Sequence, residues 1–318
     1  MDGINVLSLC DGMSCAKMAL DEAGIKVNSY FASEIKEIAI SFSKSIFSDI
    51  THIGDVKKIK YENGILYTEL GIFKVKIDFV VFGSPCQSFS RAMPYDKRIG
   101  LKDGNKSGLF YECYRILKEV NPKYFLMENT NMGVIDRNTI TNLLGVSPIR
   151  INSSLFTGAL RDRLYWTNIC DIESPLDKGI ALSDIIENGY TPFKKARCLM
   201  RNDSHGYYNG GGITPIKRFY RSYYKCFSTI IFPNEDYFNN CLKICTDILS
   251  GKSAQAYLFD EYTGNDFNEI RYLTKIERAR LQGVPEIYMK NVSERDAADL
   301  LGDGMTVPVI AHIIKNMN

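Results

Sequence analysis

The chain has 318 residues, enough to bury a large core in one large domain with a smaller appendage. Lys+Arg 39 against Asp+Glu 37 leaves a formal charge of +2, so bulk charge announces no polyanionic partner and any nucleic-acid surface must be local. The nine cysteines are scattered without a Cys-x-x-Cys pair, and His52, His205 and His312 lie far apart, which argues against a disulfide framework, a zinc finger or a metal cluster. No signal peptide precedes the first strand, and no apolar run approaches the roughly 18 residues of a membrane span. A reduced, cytosolic protein with no metal and no membrane partner is expected.

The first elements follow in order. Residues 4–9 (INVLSL) form an apolar strand, the turn Cys10-Asp11-Gly12-Met13-Ser14-Cys15 follows, and 16–24 reads as an apolar-faced helix ending at a glycine. A second strand, 30–33, ends at Glu34, and a third segment ends at Gly54-Asp55-Val56. This is the opening of a doubly wound α/β fold. A carboxylate ending the second strand suits a ribose, because it accepts from both hydroxyls. The phosphate-binding pattern Gly-x-Gly-x-x-Gly is missing. Asp11 would repel a pyrophosphate but tolerates a zwitterionic amino acid or a sulfonium, so the loop favours S-adenosyl-L-methionine over a dinucleotide.

The strand-like run 77–82 then delivers Gly83-Ser84-Pro85-Cys86-Gln87-Ser88-Phe89-Ser90 at its carboxyl end, the edge where open α/β sheets bind ligands. Pro85 stiffens the backbone before the thiol, and the small residues around it allow close approach of a substrate. Free cysteines are usually inert packing groups, so Cys86 is singled out by its company. Residues 107–118 form an amphipathic helix with Leu109 on its apolar side. The strand 123–127 brings Glu128-Asn129 to the same rim as Cys86. Arg161-Asp162-Arg163 precedes the strand 164–167, and alternate arginines on an extended segment point to one face. Surface salt bridges are the ordinary alternative for that pair.

After Ser174-Pro175 the pattern changes. Between 194 and 225 lie Lys194, Lys195, Arg197, Arg201, Lys217, Arg218, Arg221 and Lys225 against the single acid Asp203. Tyr207, Tyr208, Phe219, Tyr220, Tyr223 and Tyr224 are interleaved, a mixture suited to phosphate contact and base stacking, or to a solvated charged surface. Residues 236–258 supply helical packing, with Cys241 and Cys245 on one core-facing side, and 273–283 a helix leading back.

These elements in this order resemble the cytosine-C5 DNA methyltransferases, over residue 4 to about 170 and about 271 to 314. Asp11-Gly12 looks like the family's first cofactor motif, Glu34 and Asp55 like its ribose and adenine contacts, and Pro85-Cys86-Gln87 like its nucleophile motif. Glu128-Asn129 looks like the Glu-Asn motif and Arg161-x-Arg163 like the paired arginines. Residues 301–308, with Asp303, Gly304 and Met305, resemble the last motif, which returns to the cofactor. The stretches 97–101 and 300–312 resemble the animal de novo branch in particular, beside the bacterial and phage enzymes. The chain departs from the family in carrying Ser14 or Cys15 for a second glycine, Asp303 for the usual Asn, and Thr130 for valine.

The resemblance implies a Rossmann-like S-adenosylmethionine-dependent fold with a smaller target-recognition domain. The divisions expected are 1–174 for catalysis and cofactor, 175–299 for target recognition, and 300–318 returning to the first. It implies that Cys86 attacks C6 of a flipped-out cytosine, with Pro85 and Asn129 shaping the site. Glu128 would contact N3 and the exocyclic amine, Arg163 would hold the base carbonyl, and Arg161 its surroundings. The cofactor would meet Asp11, Gly12, Met13, Ser14, Cys15, Glu34, Ile35, Asp55, Val56, Ser84, Leu109, Asp303, Gly304 and Met305. Double-stranded DNA would meet Gln87, Ser88, Ser90, Arg91, Lys97, Arg98, Arg197, Arg201, Lys217, Arg218 and Arg221. The segment 88–107, with Gly100, Gly104 and Gly108 as hinges, is expected to close over the flipped base.

Either 196–199 or 227–230 is the stretch that supports the recognition region, the first being preferred. A stand-alone cytoplasmic monomer of a bacterial or phage-infected cell is expected. A tRNA cytosine-5 methyltransferase and a catalytically silent DNA-binding protein of the same fold are the rival readings.

Overall fold

The computed structural model describes residues 3–85, 100–101, 108–199, 214–250, 252 and 255–317. Chain contacts divide it into two compact units. The first comprises Met1–Ser153, Asp162–Pro175 and Gly304–Asn318, the second Ser154–Arg161 and Leu176–Asp303. The chain thus returns to the first unit at Gly304, and residues 154–161 group with the second.

In the first unit, β1 (Ile4–Leu9), α1 (Cys15–Glu22), β2 (Val27–Ser33), α2 (Glu37–Ile46) and β3 (Ile50–His52) come first. A three-stranded antiparallel sheet of β4 (Lys60–Glu62), β5 (Ile65–Thr68) and β6 (Gly71–Lys74) follows. Then come β7 (Phe79–Phe82), α3 (Leu109–Val120), β8 (Tyr124–Thr130), α4 (Val134–Leu144), β9 (Ile149–Asn152) and β10 (Asp162–Thr167). Seven strands form one sheet in the order β3-β2-β1-β7-β8-β10-β9. The first five run parallel, and β10 is antiparallel to both β8 and β9.

The composition of these strands follows from their burial. Val6, Leu7 and Leu9 in β1 and all of Phe79, Val80, Val81 and Phe82 in β7 are fully buried, as expected for parallel strands covered on both faces. Leu7, Leu9, Phe31, Val80 and Phe82 join Phe110, Cys113 and Ile116 of α3 in one core cluster. α1 packs with a last helix, α9 (Val307–Ile314), whose residues are buried except for a partly exposed His312. The chain winds outward from β1 to β3 and then crosses back to β7. An order reversal of this kind is where open α/β sheets bind their ligands, here beyond the carboxyl ends of β1 and β7. The two loops singled out in the sequence, after Leu9 and after Phe82, both leave from that point.

The second unit contains α5 (Pro215–Tyr223), β11 (Ile230–Ile231), α6 (Glu235–Leu249), β12 (Arg271–Tyr272), α7 (Lys275–Gln282) and α8 (Glu294–Asp303). Its core is aromatic: Phe219, Tyr220, Phe232, Phe238, Phe259 and Phe267 cluster with Cys241 and Cys245. The stretch Glu294–Ile314 is long and apolar enough to cross a membrane by length and composition. It is broken between α8 and α9, and 72% of its most apolar window is buried within the protein.

Candidate active site

The first loop is a run of alternating left-handed residues, Cys10 (φ 54°), Gly12 (φ 60°) and Ser14 (φ 62°). Gly12 belongs there because left-handed backbone is free of strain only without a Cβ, and a Cβ at Gly12 would meet open space rather than protein. Its amide donates to Glu34 Oε2 at 2.8 Å, so the acid that ends β2 closes onto the loop that ends β1. Glu34 Oε1 accepts from the amides of Ile35 and Lys36 at 2.8 and 2.9 Å. Ile35, beside it, is 67% exposed, an apolar side chain left bare at the rim.

Asp11 points inward. It is 4% exposed and accepts from Ser14 Oγ at 2.6 Å and Tyr30 OH at 2.7 Å. Burial pushes its carboxyl above the usual range, and these hydrogen bonds pull against it. Asp55 caps the turn Val56–Lys58, accepting from the amide of Lys57 at 3.0 Å. The side chains of Met13, Cys15 and Val56 are buried in the protein, and Leu109 packs half-buried against the core. Asp303 is exposed at the end of the second unit, whereas Gly304 and Met305 are buried in the first.

Glu128 and Asn129 lie inside β8, paired with Tyr165 and Leu164 of β10. Both are buried. Asn129 Nδ2 donates to the carbonyl and hydroxyl of Ser84 at 3.0 and 3.1 Å, tying the strand to the loop that carries Pro85. A Cβ on Gly83 would lie 3.6 Å from Glu128 Oε2 and 4.0 Å from Met305 Sδ, so the nucleophile-motif loop, the Glu-Asn strand and the last motif converge there. Arg163 Nε lies 3.1 Å from Glu128 Oε1, close enough to pair electrostatically but not aligned for a hydrogen bond. Glu128 Oε1 therefore has no hydrogen-bond partner among the described residues, although it is buried. An acceptor left in that state is costly unless something else completes it.

Arg163 is held in turn from behind. Asp162 accepts from Arg150 Nε and Nη2 at 2.8 and 2.7 Å and from Asn131 Nδ2 at 3.1 Å, clamping the start of β10 to the end of β8. Arg161 immediately precedes the strand, which begins at Asp162. Arg161 belongs to the second unit, buried, with Nη1 3.6 Å from Cys198 Sγ.

In that unit the two stretches weighed for the supporting motif meet, since the amide of Arg197 donates to Thr229 Oγ1 at 2.7 Å. Lys195 buries its ammonium against three carbonyls, of Ser154, Thr157 and Ile180, at 2.7, 3.2 and 2.6 Å.

The expectation that interleaved aromatics stack on bases is corrected for 219–224. Phe219 and Tyr220 are 0% and 3% exposed, because the period of α5 turns them into the aromatic core, and Tyr223 and Tyr224 stack on that core. Several expected DNA-contacting cations are also engaged within the unit. Lys217 pairs with Asp260, Arg218 donates to the carbonyl of Ile270 and lies over Tyr272, Arg221 lies over Phe227, and Arg197 donates to Cys226 Sγ. Lys194 and Lys225 are exposed.

Among the described residues no group of His, Cys, Asp and Glu could hold a metal ion. Cys86, Gln87, Ser88, Ser90, Arg91, Lys97, Arg98, Arg201, Tyr207, Tyr208 and Gly210-Gly211-Gly212 lie outside the described residues, as does most of the segment 88–107. Of that segment's expected hinges, Gly100 is left-handed (φ 70°), and the neighbouring Leu101 amide donates to Asp136 Oδ1 at 2.9 Å at the start of α4.

Sequence reading missed Tyr30 and Ser43 behind the first loop, the Arg150–Asp162–Asn131 clamp, and the sheet β4-β5-β6. For the last, Asn63-Gly64 carried the signal: both are left-handed (φ 52° and 77°), as a two-residue hairpin turn between alternating strands requires.

Comparison with known proteins accords with this arrangement. The chain is 29% identical over 318 residues to the Type II methyltransferase M1.ScrFI of Lactococcus lactis subsp. cremoris, covering 92% of this chain and 72% of that protein. It is 25% identical over 338 residues to the Type II methyltransferase M.HpaII of Haemophilus parainfluenzae, covering 96% and 86%. The structure of a Spodoptera frugiperda DNMT2 mutant shares the fold, with a TM-score of 0.63 at 19% identity over 99% of both chains. The model of the C-5 cytosine-specific DNA methylase family matches residues 4–143 and 191–318, more than half of the sequence, and the chain belongs to that family.

Proposed function

We propose that the chain methylates C5 of cytosine in double-stranded DNA, with Cys86 as the nucleophile and S-adenosyl-L-methionine as the methyl donor. The observation that carries this reading is the buried, unsatisfied Oε1 of Glu128, 3.1 Å from Arg163 and one residue from an asparagine that grips Ser84. A carboxyl so placed is completed by a donor such as the exocyclic amine of cytosine. The Type II methyltransferases among the relatives support DNA as the substrate.

C5 of cytosine is too weakly nucleophilic to attack a methyl group unaided. The Cys86 thiolate adds to C6 and pushes electron density onto C5, and Glu128 stabilises the resulting enamine at N3 and the exocyclic amine. Arg163 holds the base carbonyl and keeps Glu128 oriented. S-adenosyl-L-methionine, when bound, supplies the electrophilic methyl group. A water then removes the C5 proton, the electrons return to expel Cys86, and the thiolate is restored. The base must leave the duplex to be reached, at a cost of a few kcal/mol.

The residues of the first unit fit the cofactor. Gly12 offers open space at the loop, Glu34 would take the ribose hydroxyls, and the exposed Ile35 would offer an apolar face to the purine. Asp55 and the residues around Ser84 and Met305 would complete the contacts. The second unit serves as the target-recognition domain, with the exposed Lys194 available to phosphates. We further propose a monomer acting in the cytoplasm of a bacterial or phage-infected cell.

The test is transfer of labelled methyl from S-adenosyl-L-methionine to unmethylated mixed-sequence duplex DNA, with total tRNA and the Cys86→Ala protein in parallel. Label in DNA as 5-methylcytosine, lost in Cys86→Ala, is expected. Label in tRNA alone would replace the substrate and keep the chemistry. Label in neither, from folded protein and across a DNA of high sequence complexity, would refute the reading.

A further inference from the structure

The first loop holds a buried polar network that the proposed chemistry does not itself require. Ser14 adopts φ 62° and ψ 37°, a left-handed conformation that side-chain-bearing residues seldom take. Of the two residues offered for the family's usual second glycine, Ser14 is the one in left-handed backbone, the conformation that favours glycine, whereas Cys15 already begins α1.

Ser14 is not there to cap the helix. Its side chain makes no capping bond to the first turn. Its hydroxyl instead donates to Asp11 Oδ2 at 2.6 Å and lies 2.8 Å from Ser43 Oγ on α2. With its own proton spent on Asp11, Ser14 must accept from Ser43. Tyr30 of β2 closes the chain by donating to Asp11 Oδ1 at 2.7 Å. Ser14 and Ser43 are 0% exposed and Tyr30 is 1% exposed, so water cannot replace any of these bonds cheaply. The bonds join the loop after β1 to β2 and to α2.

We infer that Ser14, backed by Ser43, is a positioning residue for the cofactor: the hydroxyl pair holds the turn and Asp11 in a shape that glycine would give without help. This role rests on the proposed cofactor site. It also explains how the chain dispenses with the glycine, since the two hydroxyl bonds offset the strain of the left-handed serine.

Calorimetric binding of S-adenosyl-L-homocysteine to the whole protein tests it, with melting curves to establish folding. Ser14→Ala keeps the strain and loses the bonds, and should weaken binding about tenfold. Ser14→Gly removes the strain and should bind at least about threefold more tightly than Ser14→Ala. Ser43→Ala should weaken wild type but add nothing in the Ser14→Gly background, where the hydroxyl it serves is gone.

A pH profile separates positioning from packing. The titratable groups acting on Asp11 are Tyr30 and Glu34, with Cys15 acting on Tyr30. Losing the Ser14 donor should raise the pH at which binding fails on acidification, in both Ser14 variants. Folded Ser14→Ala with wild-type affinity and an unshifted profile would overturn the inference, as would Ser14→Gly binding no better than Ser14→Ala. A wild-type protein that binds no S-adenosyl compound would overturn the cofactor reading itself, and this role with it.

Discussion

Replacing Asn129 by alanine should uncouple the chemistry from cofactor binding. Asn129 is 2% exposed, and its amide makes three bonds: two donated to Ser84, at 3.0 and 3.1 Å, and one accepted from the amide of Thr130 at 2.8 Å. Alanine leaves those partners facing a small void. At about 0.5–1.5 kcal/mol for each bond, the loss sums to roughly 2–4 kcal/mol of stability. The rate should suffer more than that figure suggests, because Ser84 stands two residues before Cys86. Once untied from β8, the loop need shift by only about 1 Å to cost on the order of 10²-fold in the methylation step. Single-turnover methyl transfer at saturating DNA and S-adenosyl-L-methionine measures that step, and calorimetry measures cofactor affinity alongside. The expected result is a rate lowered about a hundredfold with cofactor affinity within about threefold of wild type. Asn129→Asp, which keeps the acceptor but sets a carboxylate against the Ser84 carbonyl, should be at least as slow. A wild-type single-turnover rate in Asn129→Ala, with the melting temperature lowered as the lost bonds require, would refute the argument that this side chain holds the nucleophile loop.

Other consequences can be checked in the second unit. Phe219→Ala should cost about 3–5 kcal/mol in denaturant unfolding, because Phe219 is fully buried among aromatic rings; loss of DNA affinity without loss of stability would restore it as a base-stacking residue. The thiols of Cys241 and Cys245 are pushed up to about 12 by burial, so at pH 8 a thiol reagent should modify the exposed Cys170 and Cys226 in the native protein and spare that pair. Burial raises the Glu277 carboxyl, but hydrogen bonds from Arg271 at 2.8 and 2.9 Å and from the amides of Glu187 and Thr274 outweigh it and hold it below the ordinary 4.5. A depressed folded-state value gives stability that is present above the unfolded value and lost as pH falls through the folded one. Unfolding curves below about pH 4.5 should therefore steepen with acid in wild type and flatten in Glu277→Gln, which should also lose roughly 3 kcal/mol at neutral pH; parallel curves for the two proteins would contradict this.

The parts of the molecule legible from its sequence are those where one residue type is forced by one local requirement. Parallel strands buried on both faces must be continuously apolar, so β1 and β7 stood out, and with them the loops that leave their carboxyl ends. Glu34 and Glu128 were legible for the converse reason: a carboxylate ending or closing an apolar strand has no packing explanation. Partnerships across the chain were not legible. Ser43 lies 29 residues from Ser14 and Asp162 lies 31 from Asn131, and nothing local in either pair announces the other. The aromatic residues of α5 show how composition alone misleads. A helix alternating basic and aromatic residues satisfies a nucleic-acid surface and an amphipathic core face equally well. Only the 3.6-residue period, which places Ile216, Phe219, Tyr220 and Tyr223 on one side, separates the two.

The same distinction governs how the site is built. Glu128 and Asn129 stand near the end of β8 and Arg163 near the start of β10, and each neighbourhood is held by a partner far along the chain: Asn129 by Ser84, Glu128 by Arg163, and Asp162, beside Arg163, by Arg150 with Asn131. Each aiming contact joins segments distant in sequence, so the precision of the site belongs to the fold rather than to any one motif. A motif can therefore tolerate a departure when the fold supplies the missing constraint. Ser14 supplies it with a hydroxyl where a glycine would need none, and the buried Ser43 and Asp11 are what make that exchange hold.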